Sequence, residues 1–164
     1  MFLQRLSTQF LVLTLLGVAH APGALADELP APSPEAIQQV FNYYQKGSTA
    51  LLTETITCAR IGDVRPMRFE CIDPIDLKKP LMRFSEAYFW TSLLAPVGNS
   101  GTLEYRFYYQ GKLHTTSNVT VSPSLRYRVW KFLLTHMAGK WRVELVQITQ
   151  QGEKRIAGIS YQVQ

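Results

Sequence analysis

The chain is poor in the residues that most enzymes use for chemistry. It has two cysteines and three histidines among 164 residues, and Asp and Glu together number 12. The sequence contains no Gly-x-Ser-x-Gly motif, no phosphate-binding glycine loop and no dinucleotide fingerprint. It also lacks the His-x-x-His and His-Glu-x-x-His arrangements of metal centres. The sequence therefore favours a non-catalytic protein, and we expect no cofactor and no metal.

Charged residues are scarce and scattered. Only 18% of the chain is charged, and the net charge is +5 at pH 7. The basic residues form no run longer than the pairs Lys78-Lys79 and Lys154-Arg155. A nucleic-acid-binding domain usually carries a clustered basic stripe. The charge pattern therefore argues against nucleic acid as a partner.

Long apolar runs are missing beyond the N-terminus. The largely apolar stretch Phe10 to Ala19 and the small residues Ala24 and Ala26 have the layout of an export signal that is cleaved after Ala26. No later stretch approaches the roughly 18 apolar residues that a transmembrane helix requires. We therefore expect a signal peptide over 1–26, a periplasmic or secreted location, and no membrane span after cleavage.

A proline-containing linker over 27–33 leads into one predicted helix. Ser33 and Pro34 provide a capping hydroxyl followed by a proline at the first helical position. Apolar residues then recur at helical spacing, and Gly47 is the expected end of the helix; the apolar stripe consists of Ile37, Val40, Phe41 and Tyr44. The favoured interpretation is a helix that covers one side or end of a sheet, and the alternative is a helix that binds a partner.

After Gly47 the apolar pattern changes to period two, which is typical of half-buried strands. Turn signals recur about every ten residues, as at Gln110-Gly111-Lys112 and Gln151-Gly152-Glu153, while residues 72–85 are expected to form an irregular connection. The pattern predicts a single domain over 34–164: a mainly β, immunoglobulin-like antiparallel β-sandwich of six or seven strands with one N-terminal helix. The alternative is an α+β fold in which one curved sheet wraps the helix.

The two cysteines, Cys58 and Cys71, both follow the predicted cleavage site. In an oxidising compartment, an even pair with twelve intervening residues is typical of a disulfide. A structural zinc site needs about four ligands, and neither cysteine has a second Cys or a His at finger spacing. We therefore predict a Cys58–Cys71 disulfide, with two unpaired thiols as the alternative.

Two histidines, His114 and His136, remain after the predicted cleavage, and each stands alone next to a predicted turn. Hairpin turns cluster at the ends of a sandwich, so the two rings are candidates to meet in space. If they do, the alternative function is a small periplasmic hydrolase or a metal-assisted enzyme that uses both. Otherwise they are exposed side chains without a chemical role.

The most extended functional candidate is the polar face of the C-terminal strands. By strand parity this Arg/aromatic face consists of Arg106, Tyr108, Arg126, Arg128, Trp130 and Arg142. Arginine matches carboxylates and aromatic rings stack on sugars, so we hypothesise that this face binds an envelope protein or an anionic envelope polymer. The alternative is a solvated salt-bridge ladder that includes Glu104 and Glu144. The bulk of Trp130 indicates that something covers part of the face.

The C-terminal strands also follow a recognisable order of residues. Arg126, Arg128 and Trp130 precede Gly139-Lys140-Trp141-Arg142-Val143, and Gly152 and Tyr161-Gln162-Val163 follow. An Arg-x-Trp strand before a Gly-x-Trp-Arg-Val strand resembles the end of a family of uncharacterised exported bacterial β-domains.

The resemblance extends over roughly residues 50–163, because Ala59, Arg65-Pro66 and Phe89-Trp90-Thr91 fit the same layout. Members of the family usually carry a His and a Trp in the strand that matches residues 102–109, and this chain has neither there. The resemblance implies an exported β-domain, and it implies no activity.

Overall fold

A computed structural model describes residues 31–98 and 101–164 of the chain, and in these ranges one helix precedes eight strands. The predicted signal peptide and residues 27–30 of the predicted linker lie outside the described residues. The elements are α1 (Pro34–Lys46), β1 (Leu51–Ile61), β2 (Cys71–Pro74), β3 (Tyr88–Ala95), β4 (Thr102–Tyr109), β5 (Lys112–Val119), β6 (Ser124–Phe132), β7 (Gly139–Thr149) and β8 (Gly152–Val163).

The eight strands form two four-stranded antiparallel sheets. Sheet A has the order β2-β1-β3-β6, and sheet B has the order β5-β4-β7-β8. The predicted β-sandwich is confirmed, with one short strand more than expected. That strand, β2, begins at the edge of the segment that we expected to be irregular, and its four residues are too few for alternation to be visible in the sequence.

The core lies between the two sheets and is built from the inward-facing residues of the central strands. Phe89 and Leu93 of β3 and Tyr105 of β4 are fully buried in it, and the Phe89 and Tyr105 rings meet edge to face with centroids 6.0 Å apart. Val143 and Leu145 of β7 are also fully buried. Burying each large apolar side chain contributes roughly 1.5–3 kcal/mol, so this layer holds the two sheets together.

Helix α1 begins and ends as its sequence predicts. The Ser33 hydroxyl accepts a hydrogen bond from the Ala36 N–H at 3.2 Å, and the Gly47 N–H donates to the Tyr43 carbonyl at 2.7 Å. The Val97 N–H donates to the Tyr44 carbonyl at 2.8 Å, which attaches the C-terminal end of the helix to the sandwich. No residue of the helix is buried, however. Among the described residues, no helix is long and apolar enough to cross a membrane.

Both cysteines are free thiols in the structure, so the Cys58–Cys71 disulfide stays a prediction. Cys58 pairs with Pro74 and Cys71 pairs with Ile61, an offset of three residues, or roughly 10 Å along the strands. The two thiols nevertheless lie close to each other. Burial raises the pKa of the Cys58 thiol, and a hydrogen bond with the Cys71 thiol raises this pKa further.

Candidate functional site

The predicted Arg/aromatic face is divided between the two sheets. Arg106 and Tyr108 lie on β4 and Arg142 lies on β7, both in sheet B, whereas Arg126, Arg128 and Trp130 lie on β6 in sheet A. All six residues point away from the core, as strand parity predicts. The outer faces of two packed sheets point in opposite directions, so these residues form two surfaces and not one. Alternation predicts the face on which a residue lies, but not the sheet to which its strand belongs.

The outer face of sheet B carries a salt-bridge ladder centred on Arg106. The Arg106 guanidinium donates to Glu104 at 2.6 Å and to both oxygens of Glu153 at 2.7 and 2.8 Å. The hydrogen bonds to Glu153 and Glu104 raise the pKa of Arg106. The bond from Arg106 in turn lowers the pKa of Glu153. Both groups are therefore charged at neutral pH.

The remaining sheet B residues extend this ladder. Arg142 donates to Glu144 at 2.7 Å, and Arg155 donates to the same carboxylate oxygen at 3.1 Å. The Arg142 guanidinium also lies 4.1 Å from the centroid of the Tyr108 ring, a cation–π contact. The arginines of this face are thus paired with glutamates of the same chain, which is the arrangement that the salt-bridge alternative describes.

The outer face of sheet A is covered by residues 62–70 of the same chain, which we call the covering loop. The ends of the loop are closed by the Gly62 N–H, which donates to the Glu70 carbonyl at 2.8 Å. The Phe69 ring stacks on Trp130 at 5.5 Å, and the Trp90 indole N–H donates to the Phe69 carbonyl at 2.8 Å. Trp90 is consequently buried on the outer side of its sheet, next to Trp130 in the strand register. The bulk of Trp130 therefore serves an intramolecular contact.

The two arginines of β6 bind the covering loop through Glu70. Arg126 donates to one oxygen of Glu70 at 3.0 Å, and Arg128 lies 2.7 Å from the other oxygen. The Glu70 side chain is only 18% exposed, so both ion pairs are partly shielded from water. An anionic polymer at this face would have to displace Glu70 first.

The two histidines meet in space. The centroids of the His114 and His136 rings are 5.8 Å apart, and both rings contact Trp141, at 5.2 and 5.6 Å. His114 lies at a β-bulge, since Thr115 pairs with Phe107 while Leu113 pairs with Tyr108. His136 lies in the connection between β6 and β7, and both histidines are exposed. In the described ranges, no group of three or more His, Cys, Asp or Glu is placed to hold a metal ion.

A further candidate surface is the apolar face of α1. We define the apolar patch as Ile37, Val40 and Phe41 of the helix together with Leu125 of β6, which are 57%, 50%, 51% and 56% exposed. With Pro32 and Ala36 they line a groove of about 350 Å³. Single exposed apolar residues are ordinary, whereas a contiguous exposed group is a candidate interaction surface.

The sequence predicts the helical stripe of the apolar patch but not that Leu125 of β6 lies beside it. Helical periodicity indicates that one face is apolar, and it does not indicate whether that face packs on the protein's own core. Leu125 shares parity with Tyr127 and Val129, which places it on the core side of β6, yet it is more than half exposed. The strand register shifts between Leu93 and Ala95, close to the point where β6 begins.

The middle of helix α1 carries polar side chains without charge. The Gln38 amide donates to the Asn42 side-chain oxygen at 3.0 Å along the polar side of the helix. The charged residues of α1 are Glu35 in the first turn and Lys46 in the last. Backbone hydrogen bonding at the helix start, with help from the Ser33 hydroxyl, lowers the pKa of Glu35. The charges therefore lie at the two helix ends, and the groove between them is neutral.

Comparison of the chain with protein-family models gives no match, and neither does a search of curated proteins. The resemblance to exported bacterial β-domains therefore rests on the residues quoted for it.

Proposed function

We propose that the chain is an exported, non-catalytic binding domain that associates with a protein through the apolar patch. The observation that carries this proposal is that the four large side chains of the patch are each at least half exposed around one groove. A helix that served only to complete the core would bury this stripe. The occupant that fits is an apolar ridge of a partner protein, such as the apolar face of an amphipathic helix.

The chemistry of the patch favours a protein over an anionic polymer. None of the six residues that line the groove is charged. The arginines that would attract a polymer, Arg106, Arg126, Arg128 and Arg142, are each paired with a glutamate of the chain. Since full burial of a large apolar side chain contributes roughly 1.5–3 kcal/mol, completing the burial of four half-exposed ones supplies several kcal/mol toward association.

Export is the second part of the proposal. The basic, apolar and small-residue regions of 1–26 support cleavage after Ala26 and a periplasmic or secreted location. N-terminal sequencing of the protein from the exported fraction should find Asp27 as the first residue. A chain that begins at Met1 and stays in the cytoplasm would overturn this part.

In-cell photo-cross-linking tests the binding part. A photoreactive amino acid at position 40 should form an adduct with a protein that mass spectrometry identifies, and position 37 should give the same adduct. Position 42, on the polar side of the same helix, is the matched control. No adduct at position 40, or an equal adduct at position 42, would contradict the proposal. An adduct with a second copy of the chain would identify the partner as the protein itself.

The hydrolase alternative has less support. The meeting of His114 and His136 satisfies its first requirement. A histidine pair also needs a nucleophile, a carboxylate or a third metal ligand to perform hydrolysis. The described residues place no third His, Cys, Asp or Glu with the pair in a group that could hold a metal.

A further inference from the structure

We infer that His114 and His136 together form a two-histidine site for a divalent transition-metal ion, with water at the other coordination positions. The inference is independent of the proposed function, because it rests on two imidazole side chains and not on the residues of the apolar patch. It also departs from the expectation that the protein binds no metal. Imidazole suits Zn²⁺, Cu²⁺ and Ni²⁺, and Cu²⁺ is bound most tightly of the divalent first-row ions.

The spacing of the two rings fits a shared ion. A metal–nitrogen bond is about 2.0–2.1 Å, which places an ion about 3.2 Å from the centroid of each coordinating ring. Two rings on one ion then have centroids about 5.2 Å apart at a tetrahedral angle and about 6.4 Å apart when they lie opposite each other. The observed centroid distance of 5.8 Å lies between these limits.

The surroundings hold the rings in place while leaving them open to solvent. Both rings pack edgewise on Trp141, which is 2% exposed and whose indole N–H donates to the Met137 carbonyl at 3.0 Å. The side chain of Arg83 donates a hydrogen bond to the backbone carbonyl of His136 at 3.2 Å. This bond fixes the backbone at His136 and does not involve the imidazole ring. A buried indole thus serves as a fixed platform for two exposed ligands, and this arrangement lowers the entropic cost of chelation.

The contact with Trp141 also supplies the readout. Bound Cu²⁺ quenches the fluorescence of a nearby indole, so titration of the intact protein with Cu²⁺ should quench part of its tryptophan emission with a stoichiometry of one ion per chain. Electron paramagnetic resonance should show coordination by two nitrogens. Zn²⁺, which does not quench in this way, should compete with Cu²⁺ and restore the emission.

A double-mutant cycle distinguishes one chelating site from two separate ligands. We expect His114→Asn and His136→Asn each to weaken Cu²⁺ binding at least tenfold, and the double variant to lose clearly less binding free energy than the sum of the two single losses. Both residues are exposed, so the unfolding midpoint and circular dichroism spectrum should stay unchanged and serve as the folding control. Single variants that bind Cu²⁺ as tightly as the wild type would overturn the inference. Additive losses, or an electron paramagnetic resonance signal from one nitrogen only, would overturn it equally.

Discussion

Glu70 and Arg128 form an ion pair of 2.7 Å between the end of the covering loop and the outer face of strand β6. The contact joins two parts of the chain that the sequence alone does not connect. It explains why arginines and a tryptophan share one strand face: they bind a segment of their own chain. The loop in turn covers Trp90, which would otherwise expose its indole on the outer side of sheet A.

Substitution of Glu70 should therefore release the covering loop. We expect Glu70→Gln to lower the free energy of unfolding by about 1–2 kcal/mol, because two charge-assisted contacts on a partly buried carboxylate are lost. The tryptophan emission should shift to longer wavelength as Trp90 and Trp130 become solvated. Asp73→Asn is the matched control, since the Arg60–Asp73 pair is 67% and 60% exposed and its loss should cost no more than about 0.5 kcal/mol. Equal effects of the two variants would show that the loop is not held by Glu70.

The ladder on sheet B should make stability depend on acid pH through Glu153. Arg106 lowers the pKa of this carboxyl in the folded protein, whereas the unfolded value is about 4.3. A depressed pKa means that the stabilisation is present above the unfolded value and is lost as the pH falls through the folded value. We expect the urea midpoint of Glu153→Gln to lie below that of the wild type at pH 7, and the difference to close on acidification below about pH 4. A difference that is constant with pH would contradict this pairing.

Thiol titration should show whether Cys58 and Cys71 are free, as in the structure, or bonded, as the sequence predicts. Both cysteines are free in the structure, so we expect two reactive thiols in the protein unfolded without reductant. In the folded protein Cys58 should react slowly, because it is buried and its pKa is raised. If the unfolded protein has no reactive thiol, the cysteines are bonded, as the sequence predicts.

Local patterns in the sequence are sufficient to predict much of the fold. Ser33, Pro34 and Gly47 mark the limits of the helix, and the turn at Gln110-Gly111 has positive φ at both residues, 49° and 82°, as a tight hairpin requires. Alternation assigns Tyr105 and Val143 to the core and Arg106 and Arg142 to the surface. These features depend on a few neighbouring residues, so they are visible in one sequence.

Features that depend on long-range pairing are not predictable in this way. Strand order decides that Arg106 and Arg128 lie on opposite sides of the sandwich, and it follows from contacts between segments far apart in the chain. The covering loop has no periodicity, because it is shaped by its contacts with Trp90 and Trp130. The helical stripe is another example: its periodicity favours a helix that covers a sheet, yet no residue of the helix is buried, because periodicity describes the helix and not the surface beside it.

The central claim is that the apolar patch serves association and not folding, and two leucines of sheet A test it most directly. Leu125 is 56% exposed and belongs to the patch, whereas Leu93 is fully buried in the core. Equilibrium unfolding in urea should show that Leu93→Ala lowers the free energy of unfolding by about 2–5 kcal/mol, as expected for a buried leucine. Leu125→Ala should change it by no more than about 0.5 kcal/mol. A loss for Leu125→Ala as large as that for Leu93→Ala would contradict the account, because the patch would then be part of the folded core.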